Sequence, residues 1–360
     1  MEQNTRPASG TNGAGQQSNS AGMPGKDTDF APKFDESGIT PSEIKKDVET
    51  EVERPTNFIT GEDLLNRKVE NIPCLIDPIM QKTGLACLAG SSDTGKSMIL
   101  RQLCIAVSLG RTQFLGWKLN TIHQSAIYVS TEDDSTATSF LLNKQAQGID
   151  PALLKNLRFI FDSENLITEL DTELIAQPAD LVVVDCFGDA FGQDLKDTQK
   201  VRTFLNKFTR LAEKHKCLFL FLHHTGKRTE NLEPNKNNLL SGQGFEGKMR
   251  LVIEFRADPT RQDRRHICIV KGNYLAADHK QESYVLEFDK DTFLFKETDC
   301  RTAFESLAKK TDDEGRAKYE QALSLKNQGK TLAEIAEIMG YANRGSVSRL
   351  LGRHSKNDAK

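Results

Sequence analysis

"AGSSDTGKSM", residues 89–98, sets two glycines, a lysine and a serine at the spacing G-x4-G-K-S. The stretch lies between an apolar run, "GLACLAG" (84–90), and a segment of helical character. Strand, glycine loop, then helix is the context that separates a phosphate cradle from a turn that happens to contain lysine. Glycines let the backbone approach phosphate oxygens without Cβ clashes. Exposed N–H groups and the helix N-terminus that follows supply positive potential. Gly90, Ser91, Ser92, Asp93, Thr94, Gly95, Lys96 and Ser97 are therefore the candidate nucleotide-binding residues, with Lys96 reaching the β/γ-phosphates and the Ser97 hydroxyl holding Mg²⁺. Asp93 is out of character in an anion cradle and is expected to point away from the phosphates.

Further continuous apolar runs follow: "SAIYVST" (125–131), "LRFIF" (157–161), "DLVVVD" (180–185) and "CLFLFLHH" (217–224). Runs without alternation are expected of parallel strands covered on both faces. Helix-like stretches separate them. In one, Val201, Phe204, Leu205, Phe208, Leu211 and Ala212 share a face at 3.6-residue spacing. After residue 248 come "MRLVIEF", "RHICIVKG", "SYVLEF" and "TFLFKE", with no clear helices between them. The predicted fold is α/β: a P-loop core with a mainly parallel sheet, antiparallel edge strands, and a small C-terminal helical domain.

Three strand ends carry the remaining chemistry. Asp185 closes "LVVVD", at the C-terminal end of a buried strand, where ligands bind in open α/β sheets. A carboxylate there can anchor Mg²⁺ together with Ser97. "YVSTEDD" (128–134) ends another strand in three acids. If that strand lies beside the first, Glu132 can orient or deprotonate the water attacking the γ-phosphate, with Asp133 and then Asp134 as substitutes. "FLHHTGK" (221–227) ends a third. His223 and His224 are adjacent on a strand and so face opposite ways, which argues against a shared metal and for one of them sensing the γ-phosphate.

The net charge of the 360 residues is -3, so any basic surface must be local. Seven cysteines without a C-x-x-C pair fit core thiols in a reducing compartment. No apolar run approaches the ~18 residues of a membrane span, and no signal-type segment is evident, so a cytoplasmic protein is expected. Residues 1–54, with 6 Lys/Arg against 10 Asp/Glu and little apolar clustering, are expected to be a disordered tail. The expected division continues with an ATPase domain at 55–298, a linker at 299–315 and a helical segment at 316–360.

"GSSDTGKS", "FLGWKL" followed by "AIYVSTEDD", "LVVVDCFGDAF", "FLHHTGK" and "VKGNY" resemble, in order, the RecA-like ATPase core of the RepA-type plasmid hexameric helicases. The resemblance spans roughly residues 82–290. It implies ATP and Mg²⁺ as cofactors, a homo-oligomer in the form of a hexameric ring, and nucleotide sites between subunits. By the same resemblance Lys96 and Ser97 bind phosphate and Mg²⁺, Asp185 supports the metal, Glu132 activates water and His224 lies in the sensor motif. A neighbouring subunit in such rings lends a basic group to the γ-phosphate, for which Arg250 and Lys271 are the candidates. The long segment 226–247 corresponds to a loop that faces the channel, where Lys227, Arg228 and Lys236 can meet single-stranded DNA, though no aromatic stacking ladder accompanies them.

"KTLAEIAEIMGYANRGSVSRLLGRH" (330–354) falls outside that resemblance. Leu332, Ile335, Ala336 and Met339 form one helical stripe, Gly340 a stop, and Val347, Leu350 and Leu351 a second stripe. Two short helices across a four-residue turn are helix-turn-helix geometry, presenting Asn343, Arg344, Ser346, Arg349 and Arg353 to duplex DNA. Residues 316–360 hold 9 Lys/Arg against 4 Asp/Glu, a net of +5. Two functions follow: an ATP-hydrolysing, helicase-like DNA motor for a plasmid or mobile element, or an ATP-switched, sequence-specific DNA-binding protein that does not unwind.

Overall fold

The computed structural model describes residues 58–162, 164–240, 243–308 and 313–354, so the expected disordered tail lies outside the described residues. Residues 58–67 stand as a unit by themselves. Their one helix, α1 (Gly61–Asn66), is closed by a Thr60/Asp63 capping box and buries none of its residues.

The chain beyond builds a nine-stranded sheet from β3 (Gly84–Gly90), β6 (Ala126–Ser130), β7 (Leu157–Ile160), β8 (Leu181–Asp185), β9 (Leu218–His224), β10 (Leu251–Ala257), β11 (Arg264–Gly272), β12 (Glu282–Asp289) and β13 (Leu294–Ala303). Their order across the sheet is β13-β12-β11-β10-β3-β9-β8-β6-β7. From β10 to β7 every pair is parallel, and from β10 to β13 every pair is antiparallel. All nine apolar runs noted in the sequence become strands of this sheet. β3, β6, β8 and β9 are nearly continuous in burial because both faces are covered, whereas β7, at the edge, buries only Leu157 fully.

Alternate side chains enter two cores. On one face Ala86, Leu88, Tyr128, Val183, Leu220 and Leu222 pack with Ile99, Leu100, Leu103 and Cys104 of α2 (Lys96–Ser108). On the other, Leu85, Cys87, Val129, Val182, Phe219 and Phe221 pack with α4 (Leu166–Ala176), α5 (Phe187–Phe191), α6 (Thr198–His215) and α7 (Gln243–Glu246). The predicted α6 face is buried at Val201, Leu205, Phe208, Leu211 and Ala212, with Phe204 half-buried. The remaining helix of this part, α3 (Ser135–Gln145), is largely exposed.

The first core is closed by a feature without a sequence signal, a second antiparallel sheet. It consists of β1 (Cys74–Asp77), β2 (Met80–Gln81), β4 (Gln113–Phe114) and β5 (Trp117–Leu119), in the order β2-β1-β5-β4. Strands of two to four residues are too short for a period-two pattern to register. Leu75, Ile76, Met80, Phe114 and Leu119 fix them to α2 by burial.

Three helices end the described chain: α8 (Asp313–Asn327), α9 (Leu332–Ile338) and α10 (Arg344–His354). Ala322, Ile335, Ala336 and Val347 make their shared core. α8 was not anticipated, since only Ala322 and Leu325 of it join this core, too few to set a stripe. The turn runs from 339 to 343, one residue longer than expected, with Gly340 left-handed at φ 70°. Asn343 accepts a bond from the Ser346 N–H at 3.2 Å, which commits its side chain to capping α10. β13 continues to Ala303 and α8 starts at Asp313, so the stretch between them is shorter than 299–315. Among the described residues no helix is long and apolar enough to cross a membrane.

Candidate functional site

The C-terminal ends of β3, β9, β8 and β6 meet the N-terminus of α2 around a cleft of about 610 Å³. The phosphate-loop residues Ser92 to Ser97 line it together with Glu132, His224, Arg101 and Arg265. Gly95 caps α2 at φ 91°, a conformation open to glycine at little cost, and the first turn of α2 lines the cleft. Ser91 O accepts from Thr94 Oγ1 at 3.0 Å and from Lys96 Nζ at 2.6 Å, which holds the loop closed on itself. Burial lowers the Lys96 ammonium below its ordinary pKa, while Asp185, Glu132 and Asp93 act in the opposite direction. Asp93 is exposed at φ 61° and lines the cleft with the rest of the loop, near enough to Lys96 to act on its charge.

The two glycines are demanded by the protein itself. A Cβ on Gly90 would sit 2.3 Å from the carbonyl oxygen of Phe255 on β10, and one on Gly95 2.8 Å from Cζ of Phe295 on β13. The close approach that the sequence suggested for phosphate is made first by neighbouring strands.

Asp185 is 4 % exposed at the tip of β8. The hydroxyl of Tyr128 donates to its Oδ2, whereas Oδ1 is buried with no hydrogen-bond partner among the described residues. Burial pushes this carboxyl above the usual carboxylate range, with the Tyr128 and Ser97 hydroxyls acting in the opposite direction. A buried carboxylate oxygen lacking a partner, beside a serine hydroxyl, is an oxygen donor set that fits Mg²⁺. Behind it lies Arg101, 1 % exposed, with its guanidinium 5.7 Å from the Tyr128 ring and its Nε donating to Gln145 at 3.2 Å. Sequence reasoning missed both residues. Tyr128 sits inside an apolar strand and reads as core, and Arg101 on a helix reads as a solvated charge.

Glu132 reaches the cleft by a different route from the one expected. β6 is separated from β3 by β8 and β9. Thr131 straps the end of β6 to the end of β8: its N–H donates to Asp185 O at 2.8 Å, and its Oγ1 accepts from the Cys186 N–H at 2.9 Å. This turns Glu132 toward β9, where its Oε1 lies 3.9 Å from His224 Nε2. Asp133 faces Arg101 at 3.9 Å, and Asp134 is used as the N-cap of α3, accepting from Ala137 at 2.8 Å.

The two histidines diverge as the strand geometry requires. His224 looks into the cleft, its pKa lowered by burial and by Lys96. His223 is buried against Phe187 and Phe245, bonds Leu240 O at 2.6 Å, and is lowered by burial to about 4. Cys186, next to Asp185, is 3 % exposed, and burial pushes its thiol up to about 12.

A basic residue from the antiparallel extension also enters the site. Arg265 on β11 donates from Nε to Thr94 O at 2.8 Å and stacks over Phe288 at 5.7 Å. Its only sequence signal is the cluster "RQDRR", which gives no hint of direction. Arg250 and Lys271 lie far from the loop, because parallel β10 starts beside the start of β3. Arg250 is exposed there, and Lys271 is engaged by Glu246 at 2.8 Å.

The described part of segment 226–247 is built against β10. Buried Glu254 accepts from Asn235 N at 2.9 Å and from Asn238 Nδ2 at 3.1 Å, and buried Arg256 donates to Thr229 O at 3.1 Å and to Leu232 O. Glu254 and Arg256 pair at 2.7 Å. Lys227 is exposed and Lys236 is half-exposed, 3.9 Å from Glu246. On α10, Arg344 and Arg349 are exposed and Ser346 is half-buried. The side chains of Arg228 and Arg353 lie outside the described residues.

A phosphate loop opening a helix, with the ends of three neighbouring parallel strands bearing Asp, Glu and His, defines a RecA-like P-loop ATPase. Residues 49–230, just over half of the chain, match the AAA domain family, and the chain belongs to it. The fold is similar to that of a solved ATPase domain, at 10% sequence identity and a TM-score of 0.50, covering 66% of this chain and 96% of that one. No curated protein matches the chain.

Proposed function

We propose that this ATPase acts on DNA as a helicase-like motor of the RepA type, in replication or mobilisation of a plasmid or mobile element. One observation carries the reading: the chain joins a cleft where Lys96, Glu132 and His224 converge to a basic three-helix unit whose α10 exposes Arg344 and Arg349. In this scheme the N–H groups of the phosphate loop and the Lys96 ammonium hold the β- and γ-phosphates of ATP. The Ser97 hydroxyl and Asp185 Oδ1 hold Mg²⁺, which when bound neutralises charge on the phosphate oxygens. Glu132 takes the proton of the attacking water, a role worth ~10²–10⁴ in rate. His224 reports the γ-phosphate to β9.

The working form is a homo-oligomeric ring of six. Exposed Arg250 extends toward a neighbour's nucleotide, in preference to Lys271, which is ion-paired. Lys227, Arg228 and Lys236 face single-stranded DNA in the channel. The C-terminal helices act as a helix-turn-helix unit that meets duplex phosphates and bases through Arg344, Ser346, Arg349 and Arg353, joined to the ATPase domain by the stretch that follows β13. Asn343 serves this unit as the α10 cap.

The test is steady-state ATP hydrolysis by wild type and Lys96→Ala with no DNA, single strands or duplex, followed by strand displacement on a fork. Turnover that depends on Lys96, rises with single strands and unwinds the fork supports the motor. Negligible turnover on every DNA refutes it. The basic α10 favours a second reading, an ATP-switched binder of a specific duplex site. Retention of a duplex without displacement, controlled by ATP, is its signature.

A further inference from the structure

Three side chains at the mouth of the cleft form a mixed donor set that the Mg²⁺ site does not use. Glu132, Cys186 and His224 come from the ends of three adjacent strands, β6, β8 and β9. One ligand atom of each, a carboxylate oxygen, a thiol sulfur and an imidazole nitrogen, lies within 4.8 Å of the other two. We propose that these three residues bind a borderline transition-metal ion, zinc by its ligand preference, at a site separate from the Mg²⁺ site, and that the bound ion stops ATP turnover.

The chemistry separates the two ions. Mg²⁺ takes oxygen donors in near-octahedral geometry and does not favour sulfur. Sulfur, imidazole and carboxylate together are the donors of four-coordinate Zn²⁺, three from protein and one from water. Bond lengths of ~2.0–2.3 Å put tetrahedral donors about 3.4 Å apart. Closing from the present spacing takes roughly an ångström of movement, and the exposed Glu132 side chain has room to make it. The wall is fixed: Cys186 is held by its backbone bond to Thr131, and His224 by the ladder of β9 against Gly90. On binding, the metal replaces the proton of the Cys186 thiol, which passes to solvent, and no electrons are transferred.

The ion takes up the Glu132 oxygen needed for water activation and the His224 nitrogen that would sense the γ-phosphate, but leaves the main phosphate and Mg²⁺ holders, Lys96 and Ser97, to the nucleotide. ATP binding therefore persists while hydrolysis stops. This inhibitory consequence rests on the proposed role of Glu132, whereas metal binding itself does not.

The test uses the full chain and Co²⁺, a coloured stand-in for zinc. Wild type is expected to show a near-ultraviolet thiolate-to-cobalt charge-transfer band and the intense visible bands of four-coordinate cobalt, displaced by Zn²⁺. Cys186→Ser should abolish the charge-transfer band, and Cys300→Ser, at an exposed thiol, should keep it. Absence of the band, or its survival in Cys186→Ser, overturns the proposal. Should Cys186→Ser fail to fold, Glu132→Gln at the exposed side is expected to weaken cobalt at least about tenfold, and unchanged affinity overturns the proposal. In the activity arm Zn²⁺ should inhibit wild type at fixed Mg²⁺ with ATP still bound, and any turnover left in Cys186→Ser should resist it. If no protein hydrolyses ATP in any arm, the reading of Glu132 fails, and the cobalt spectrum alone decides the metal site.

Discussion

Gly90→Ala distinguishes a glycine kept for a ligand from a glycine kept for the sheet. In an ordinary strand this change stabilises by about 0.5–1 kcal/mol, because the unfolded chain loses freedom. At Gly90 the new Cβ would meet the Phe255 carbonyl oxygen at 2.3 Å, against the 3.0 Å below which real Cβ contacts essentially do not occur. β3 and β10 would have to part by about 0.7 Å at the tip of a parallel ladder buried on both faces. The obstacle is backbone, with no rotamer to move aside. Overpacking of this kind costs about 1–3 kcal/mol. For a domain of this size each kcal/mol lowers Tm by about 2–4 °C. Thermal unfolding without nucleotide, with Lys96→Ala as the control, measures it. A Gly90→Ala protein that melts at or above wild type and loses only nucleotide affinity would refute the reasoning.

Tyr128→Phe removes the hydroxyl that Asp185 Oδ2 accepts from in a fully buried site, and should lower unfolding free energy by about 1.5–3 kcal/mol in urea titrations while raising the Mg²⁺ needed for turnover. Arg256→Ala leaves Glu254 buried beside its lost partner and should cost about 3–5 kcal/mol, read in the same titrations; a cost under 1 kcal/mol would mean that segment 226–247 is held by other contacts. His223 has its folded pKa lowered to about 4 from 6.5, so the unfolded chain binds the extra proton in between. Its contribution is complete above pH 6.5 and is lost as pH falls toward 4, by about 3 kcal/mol in all. His223→Gln should flatten that part of the stability profile, and an unchanged slope would assign the loss to other groups.

The parallel core was legible because its strands are continuous apolar runs ending in the chemical residues Gly90, Glu132, Asp185 and His224. What sequence could not supply was sideways order. Glu132 was expected at the cleft on condition that its strand lay beside the first; two strands intervene, and the strap made by Thr131 turns Glu132 toward the cleft instead. Arg101, Tyr128 and Arg265 were invisible for a related reason. Each is polar within a pattern whose period is set by its apolar neighbours, and its partner lies tens of residues away in the chain. At the C-terminus the stripes of α9 and α10 were readable, and α8, with two apolar contacts, was not.

The tip of β9 is fastened on both sides. Thr225 N donates to Gly90 O at 3.3 Å, on the strand that carries the phosphate loop. On the other side Leu240 N donates to His224 O at 2.9 Å, and Gly226 N to Asn238 O at 3.0 Å. No slack separates the nucleotide cleft from the segment that follows it. Displacement at the cleft therefore arrives there as displacement, with little compliance to absorb it, and its size is the small travel of a strand tip.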